Sequence, residues 1–148
     1  MAISVRKATD KDIPAILDLL YKLGRPKAKN DSETEIFEKQ IKQYISNSDK
    51  QILVAELDSK IVGMASLMFV SRLNRDKLEL YIPELIVSEE NRGKGFGNKL
   101  IEECIKIAKE KKCHRIKLES GNQRIESHQF YKKLGFIQHA LSFTLDIQ

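Results

Sequence analysis

The chain has 148 residues, which fits one domain with a full core and is short for two. It is 41% hydrophobic and 32% charged, with seven glycines and three prolines, which excludes a disordered or repetitive chain. The net charge of +5 argues only weakly for anionic ligands, and no nucleic-acid stripe forms, because Lys and Arg alternate with Glu and Asp along most of the expected helices.

Ile3 to Lys7 reads as a short strand. Thr9 and Asp12 then stand at capping-box spacing, and Ile13, Ile16, Leu17, Leu20 and Leu23 recur at helical spacing until Gly24 stops the helix. Arg25 to Asp31 is a polar linker, followed by a second helix with Phe37, Ile41, Tyr44 and Ile45 on one face. From Gln51 the period changes to that of strands: Ile52 to Leu57, Ile61 to Val70 beyond a tight turn at Asp58-Ser59, and Leu78 to Val87, which together predict an antiparallel meander. A helix follows to about Lys112, burying Leu100, Cys104, Ile107 and Ala108, and Arg115 to Ser120 is another strand. Glu126 to Leu134 is a short helix closed by Gly135, and Phe136 to Ile147 reads as one or two last strands. The order β-α-α-β-β-β-α-β-α-β, with room for a further strand, is mixed α/β. A twisted, mostly antiparallel sheet flanked by helices is expected, in a single domain over residues 1–148.

The two cysteines, Cys104 and Cys113, carry no metal-ligand spacing, and Cys104 falls on an apolar helix face, as a buried free thiol would. Met1 to Arg6 lacks the apolar run of a signal peptide, and no segment reaches the ~18 apolar residues of a membrane span. The expectation is a reduced, cytoplasmic protein without metal, membrane or nucleic-acid partners; a homodimer stays open.

The strongest chemical signal is Leu85-Ile86-Val87, then Ser88 to Asn91, then Arg92-Gly93-Lys94-Gly95-Phe96-Gly97 and Asn98 at the start of a helix. A strand that feeds a glycine-rich turn into a helix N-terminus makes an anion site, since successive N–H groups converge there on the positive end of the helix dipole. Arg92, Lys94 and Lys99 add charge around it. A Walker A loop needs four residues between its first Gly and Gly-Lys-Ser/Thr, and a dinucleotide fingerprint needs G-x-G-x-x-G; the spacing Gly93, Gly95, Gly97 fits neither. Tight packing at a helix start is the plain alternative.

A second motif is Ser127-His128-Gln129-Phe130-Tyr131 with Leu134-Gly135-Phe136. The two together resemble the GCN5-related N-acetyltransferase superfamily: Arg92, Gly95 and Gly97 match its Q/R-x-x-G-x-G/A loop, and Phe130, Tyr131, Gly135 and Phe136 its late F-Y-x-x-x-G-F element. Val5 to Thr9 with Asp12-Ile13 looks like the family's opening, so the resemblance spans essentially the whole chain. Ile82-Pro83-Glu84-Leu85-Ile86-Val87, Leu118-Glu119-Ser120 with Arg124, His128 to Tyr131 and Phe143-Thr144 are also similar, more loosely, to small-amine acetyltransferases such as the aminoalkylphosphonate N-acetyltransferases.

The resemblance implies direct transfer of acetyl from acetyl-CoA to the primary amine of a small molecule. It implies that Leu85, Ile86 and Val87 pair with the pantetheine arm of acetyl-CoA and that Arg92 to Asn98 hold its pyrophosphate. Asn122 and Ser127 would bond the arm or the substrate, Asn122 being equally readable as a turn residue beside Gly121. Tyr131 matches the family's general-acid tyrosine, with adjacent Phe130 turned to the core. Pro83 independently marks an edge or a bulge, because it removes a ladder donor. Glu84, between Ile82 and Ile86, is then either turned outward or partly desolvated and suited to act as general base; Glu79, Glu119 and water compete with it. His128 reads as structural. Lys22, Arg25, Lys27 and Lys29 form a basic run at the linker that either receives an anionic group, such as a phosphonate, or is simply solvated. Two other functions fit the same motifs: acetylation of a protein N-terminus or lysine, and a non-catalytic CoA-binding module.

Overall fold

The computed structural model describes residues 3–147, so Met1, Ala2 and Gln148 lie outside the description. By its internal contacts the chain falls into one unit ending at Lys117 and a second beginning at Leu118.

In the first unit β1 (Ile3–Lys7) leads through a 3-10 turn at Asp10–Asp12 into α1 (Ile13–Lys22) and α2 (Asp31–Ser46). Then come β2 (Lys50–Leu57), β3 (Lys60–Val70), β4 (Glu79–Ile82), β5 (Leu85–Val87), α3 (Phe96–Glu110) and β6 (Arg115–Leu118), whose last residue is the first of the second unit. The start and stop signals act as expected. Thr9 N–H donates to Asp12 Oδ2 at 2.8 Å, Gly24 adopts φ +98°, and the Asn30 side chain caps α2 through the Glu33 amide at 2.9 Å. Asp58 and Ser59 both take positive φ, the geometry of the tight hairpin that joins β2 to β3. The sheet runs β1-β2-β3-β4-β6, with β5 paired to β3 beside β4.

The middle of the sheet is buried on both faces, as the apolar runs Ile52 to Ala55 and Val62 to Leu67, broken only by Ser66, require. On one face Ile52, Val54, Met64 and Ile86 pack in a cluster with Ile13, Ile16, Leu17 and Leu19 of α1 and Ile41 of α2. On the other lies α3, which buries Phe96, Leu100, Ile101 and Cys104 completely. Gly63 has no room for a side chain, since a Cβ there would meet the Ile86 carbonyl oxygen of neighbouring β5 at 3.0 Å and Leu100 of α3 at 3.5 Å. Burial pushes the Cys104 thiol up to about 12, in keeping with an inert core position.

The long strand expected from Leu78 to Val87 is two strands. β4 meets β3 in the register Tyr81↔Met68, whereas β5 meets it as Leu85↔Ala65. Three residues, Ile82, Pro83 and Glu84, therefore oppose two, Ser66 and Leu67, which is a one-residue β-bulge. Proline is the cause, since it has no N–H to give the ladder.

Arg6 ties the first strand to the start of α1, with two hydrogen bonds to Asp12 at 2.7 and 2.9 Å and a further one to Glu56. The Arg6 hydrogen bond holds the Asp12 carboxyl below its ordinary range against the opposing effect of burial. A depressed carboxyl stabilises the fold above its unfolded pKa of about 4, and the contribution disappears as pH falls through the folded value. Asp12→Asn should thus cost roughly 1–3 kcal/mol at neutral pH, a cost that shrinks toward zero on acidification. Urea titrations of both proteins in a descending pH series would show the two stabilities converging.

The second unit contains α4 (Ile125–Lys133). The turn before it is closed by Arg124 N–H to Gly121 O at 3.0 Å, and His128 Nε2 lies 2.8 Å from the same carbonyl. Gly135, at φ +97°, ends the helix, with Phe136 N–H reaching back to Tyr131 O at 3.0 Å. The strands expected from Phe136 to Ile147 are absent among the described residues, and Leu141, Phe143, Leu145 and Ile147 stand exposed. Period-two alternation records a preference for a half-buried strand, but a strand also needs a neighbour to take its ladder bonds.

Candidate functional site

The bulge determines what Glu84 does. Its carbonyl still accepts from Ser66 N–H at 2.9 Å, but its own N–H turns to the Ser66 hydroxyl oxygen at 2.9 Å. That hydroxyl in turn donates to Glu84 Oε1. One serine thus replaces the ladder bond lost at the bulge and fixes the carboxylate. Arg25, from the α1–α2 linker, donates to Glu84 Oε2 at 3.4 Å and to Pro83 O at 3.2 Å. The Glu84 side chain is 24% exposed, so it is neither sealed in the core nor free in solvent.

What it faces is a cavity of about 410 Å³ lying between α1, α2 and the sheet. Ile16, Leu17, Leu20, Phe37, Ile41, Ile52 and Met64 supply an apolar wall, and Tyr21, Gln40, Tyr44, Ser66 and Glu84 the polar atoms. Tyr44 donates its hydroxyl proton to Leu67 O at 3.0 Å. Burial, and then the negative charge of Glu84, pushes this phenol up to about 12. Arg25 lines the cavity, whereas Lys27 and Lys29 are not among its lining residues.

The competing carboxylates are occupied. Glu79 is buried, which raises its pKa, yet the hydrogen bond and charge of Arg115, with Arg72 and Lys117, outweigh burial and hold the group below the carboxylate range. A buried acid so paired is a fixed anion and a poor proton acceptor. Glu119 accepts a hydrogen bond from Ser142 at 2.6 Å in the second unit.

Beyond the bulge, β5 hydrogen-bonds to β3 alone among the described strands, which leaves its other edge open to an extended ligand. Of its residues Ile86 is buried, while Leu85 and Val87 are half-buried. Ser88 and Asn91, both buried and joined by a 2.8 Å hydrogen bond, hold the start of the loop, and Arg92 Nε donates to Val87 O at 3.1 Å. Gly93 and Gly95 take φ +76° and +91°, and a Cβ at either would point into open space. The first bond within α3 is Lys99 N–H to Gly95 O at 3.0 Å, so the amides of Phe96, Gly97 and Asn98 have no helical acceptor. Open glycines before the free amides of a fifteen-residue helix suit a diphosphate. Phe96 can contribute only its backbone, because its ring is in the core. The side chains of Arg92, Lys94 and Asn98 are exposed around the loop.

In the second unit Asn122 occupies the closed turn before α4, in line with the turn reading, and Ser127 is half-buried in the first turn of that helix. The Tyr131 ring lies edge-on between Phe130 at 5.3 Å and Phe136 at 5.7 Å. Phe130 does not enter a core as expected: α4 buries none of its residues, and successive side chains on a helix diverge by only about 100°, so the two rings meet at their edges. Burial lifts the Tyr131 phenol above its ordinary value, opposed by the charge of Arg124.

Sequence reasoning did not pick out Ser66, although a lone hydroxyl in the apolar run Met64 to Phe69 must find a partner when buried. Tyr44 and Phe37 were legible as a helix face but not as a cavity wall.

Residues 15–136 match the family model described as "Acetyltransferase (GNAT) family". The chain is 34% identical over 89 residues to a glucosamine 6-phosphate N-acetyltransferase of Trypanosoma brucei brucei, covering 60% of this chain and 58% of that one. It spans between 43% and 60% of the length of the curated relatives it matches. Among solved structures, an acetyltransferase of Trypanosoma brucei superposes with a TM-score of 0.82 at 27% identity, covering 99% of this chain and 100% of that one. Glucosamine-6-phosphate N-acetyltransferase from Arabidopsis thaliana has the same fold, with a TM-score of 0.84 at 23% identity over 100% of both chains.

Proposed function

The chain belongs to the GNAT acetyltransferase family, and from that premise we propose that it transfers acetyl from acetyl-CoA directly to a primary amine of a small molecule. The observation that carries this reading is Glu84, held by Ser66 and Arg25 at the wall of a cavity sized for a small molecule. The name of the trypanosomal relative supports it, since glucosamine 6-phosphate also presents an amine on a small molecule.

Acetyl-CoA brings an acyl group already activated as a thioester. In this proposal the amides of Phe96, Gly97 and Asn98, with Gly93, Gly95, Arg92 and Lys94, hold its diphosphate. The open edge of β5, from Leu85 to Val87, takes the pantetheine arm, with Asn122 and Ser127 as further hydrogen-bonding groups. Glu84 removes a proton from the acceptor ammonium, directly or through water, so that the nitrogen lone pair can attack the acetyl carbon. An amide N–H at β5 steadies the charge that grows on the carbonyl oxygen. As the C–S bond breaks, Tyr131 gives its phenolic proton to the sulfur, and the second proton leaving the nitrogen passes through water to restore the phenol. The role of Tyr131 is carried over from the matching motif residues.

The coenzyme half of the proposal has its own test. Acetyl-CoA at a hundredfold excess over its dissociation constant should stabilise the protein by about 2.7 kcal/mol, whereas ATP and NAD should do much less. Gly95→Val should abolish that shift, because a β-branched residue at φ +91° is strained and forces the loop out of the conformation that precedes the helix amides. Differential scanning fluorimetry with the three nucleotides reads both effects. Equal shifts from all three would remove the case for this site.

A further inference from the structure

We infer that the acceptor is a primary amine carried on an uncharged, mainly hydrocarbon body, aryl or alkyl, and not an amino sugar phosphate or an aminophosphonate. This inference rests on the acetyl-transfer reading and narrows its substrate.

The cavity beside Glu84 has two unlike parts. Its polar part is the Glu84 carboxylate with the Ser66 and Tyr44 hydroxyls, and both hydroxyl protons are already given, to Glu84 Oε1 and to Leu67 O. The unused hydrogen-bonding capacity at that point is therefore mostly acceptor, which suits an ammonium group. Most of the remaining wall is apolar, with Leu17, Leu20, Phe37, Ile41, Ile52 and Met64 set against only Tyr21 and Gln40 as further uncharged polar residues. A sugar ring laid against this wall would lose its hydration and find few partners.

An anionic group fares worse. Arg25 is the only cation among the lining residues, and its Nη2 already donates to Glu84 and to the Pro83 carbonyl. A phosphate or phosphonate that took the remaining N–H groups of Arg25 would share one positive charge with Glu84 and set two anions side by side. One that did not would have no counter-charge, with only the neutral Tyr21 and Gln40 to meet it among apolar side chains. The basic residues of the linker offer no escape, since Lys27 and Lys29 are not among the residues lining the cavity.

The test is a set of kcat/KM measurements with acetyl-CoA and five acceptors: 2-phenylethylamine, hexylamine, methylamine, 2-aminoethylphosphonate and glucosamine 6-phosphate. Phenylethylamine and hexylamine should exceed methylamine and both anionic amines by roughly ten- to a hundredfold, the factor that burial of one large apolar group supplies. In Phe37→Ala, the ratio of kcat/KM for phenylethylamine over methylamine should fall several-fold. If that variant unfolds, the acceptor comparison on the unaltered protein still decides. An anionic amine acetylated as well as phenylethylamine would overturn the inference and leave acetyl transfer standing. A protein that binds acetyl-CoA and acetylates none of the five would overturn both.

Discussion

Glu84→Gln should lower kcat/KM at neutral pH by roughly 10²–10⁴-fold, with partial recovery as the pH rises. The physical reason lies in the acceptor. An alkyl amine with a pKa near 10 is only about 0.1% unprotonated at pH 7, so nearly every turnover begins with removal of a proton. Raising the pH supplies the free amine from solution and makes the base less necessary. The hydrogen bonds around Glu84 identify the oxygen concerned. Oε1 already accepts the Ser66 hydroxyl proton, so the incoming proton belongs on Oε2, where it competes with Arg25. Glutamine can keep its oxygen toward Ser66 only by turning its NH₂ toward the Arg25 guanidinium, donor against donor. It therefore loses the base and loosens Arg25, while the fold and acetyl-CoA binding persist. A pH–rate profile of the variant that runs parallel to that of the parent would remove Glu84 from the chemistry.

Tyr131→Phe should lower kcat by a comparable roughly 10²–10⁴-fold and leave the melting temperature and acetyl-CoA affinity nearly unchanged. The substitution keeps the ring between Phe130 and Phe136 and removes only the hydroxyl. Because burial raises this phenol, it stays protonated through neutral pH and loses its proton only above the ordinary value near 10. The parent enzyme should accordingly show an alkaline limb above that pH, and the variant should lack it. The variant's rate would then be flat with pH where the parent's declines. Normal turnover by the variant, or loss of activity only through unfolding, would make Tyr131 a packing residue.

The parts of this molecule that were legible in its sequence are those governed by neighbours along the chain. Gly24 and Gly135 end helices because positive φ is a local demand, and Pro83 announced a break in its strand because a missing N–H is a property of one residue. The glycine loop was legible for the same reason, as strand, turn and helix start are contiguous. The cavity was not legible, since Phe37, Tyr44, Ser66 and Glu84 come together only once β3 has paired with β5 and α2 has crossed the sheet. The alternation from Leu141 to Ile147 misled for the converse reason: the pattern is local, and the ladder partner a strand requires is not.

The bulge at Pro83 also has a metric effect. Carrying one residue more than the segment opposite, the β4–β5 segment runs ahead of β3 by a single step, about 3.3 Å of strand rise. Within the β3–β5 pairing itself no further shift follows, because β5 ends at Val87, shortly before the loop that opens α3; the other shift in the sheet lies between β2 and β3, at Ala55 and Glu56. The first turn of α3 therefore starts one step away from where an unbroken ladder would deliver it. The sheet acts as a ruler whose graduation is changed by one mark. Where the helix amides stand relative to β4 is set by the number of residues in the strand, as much as by which residues they are.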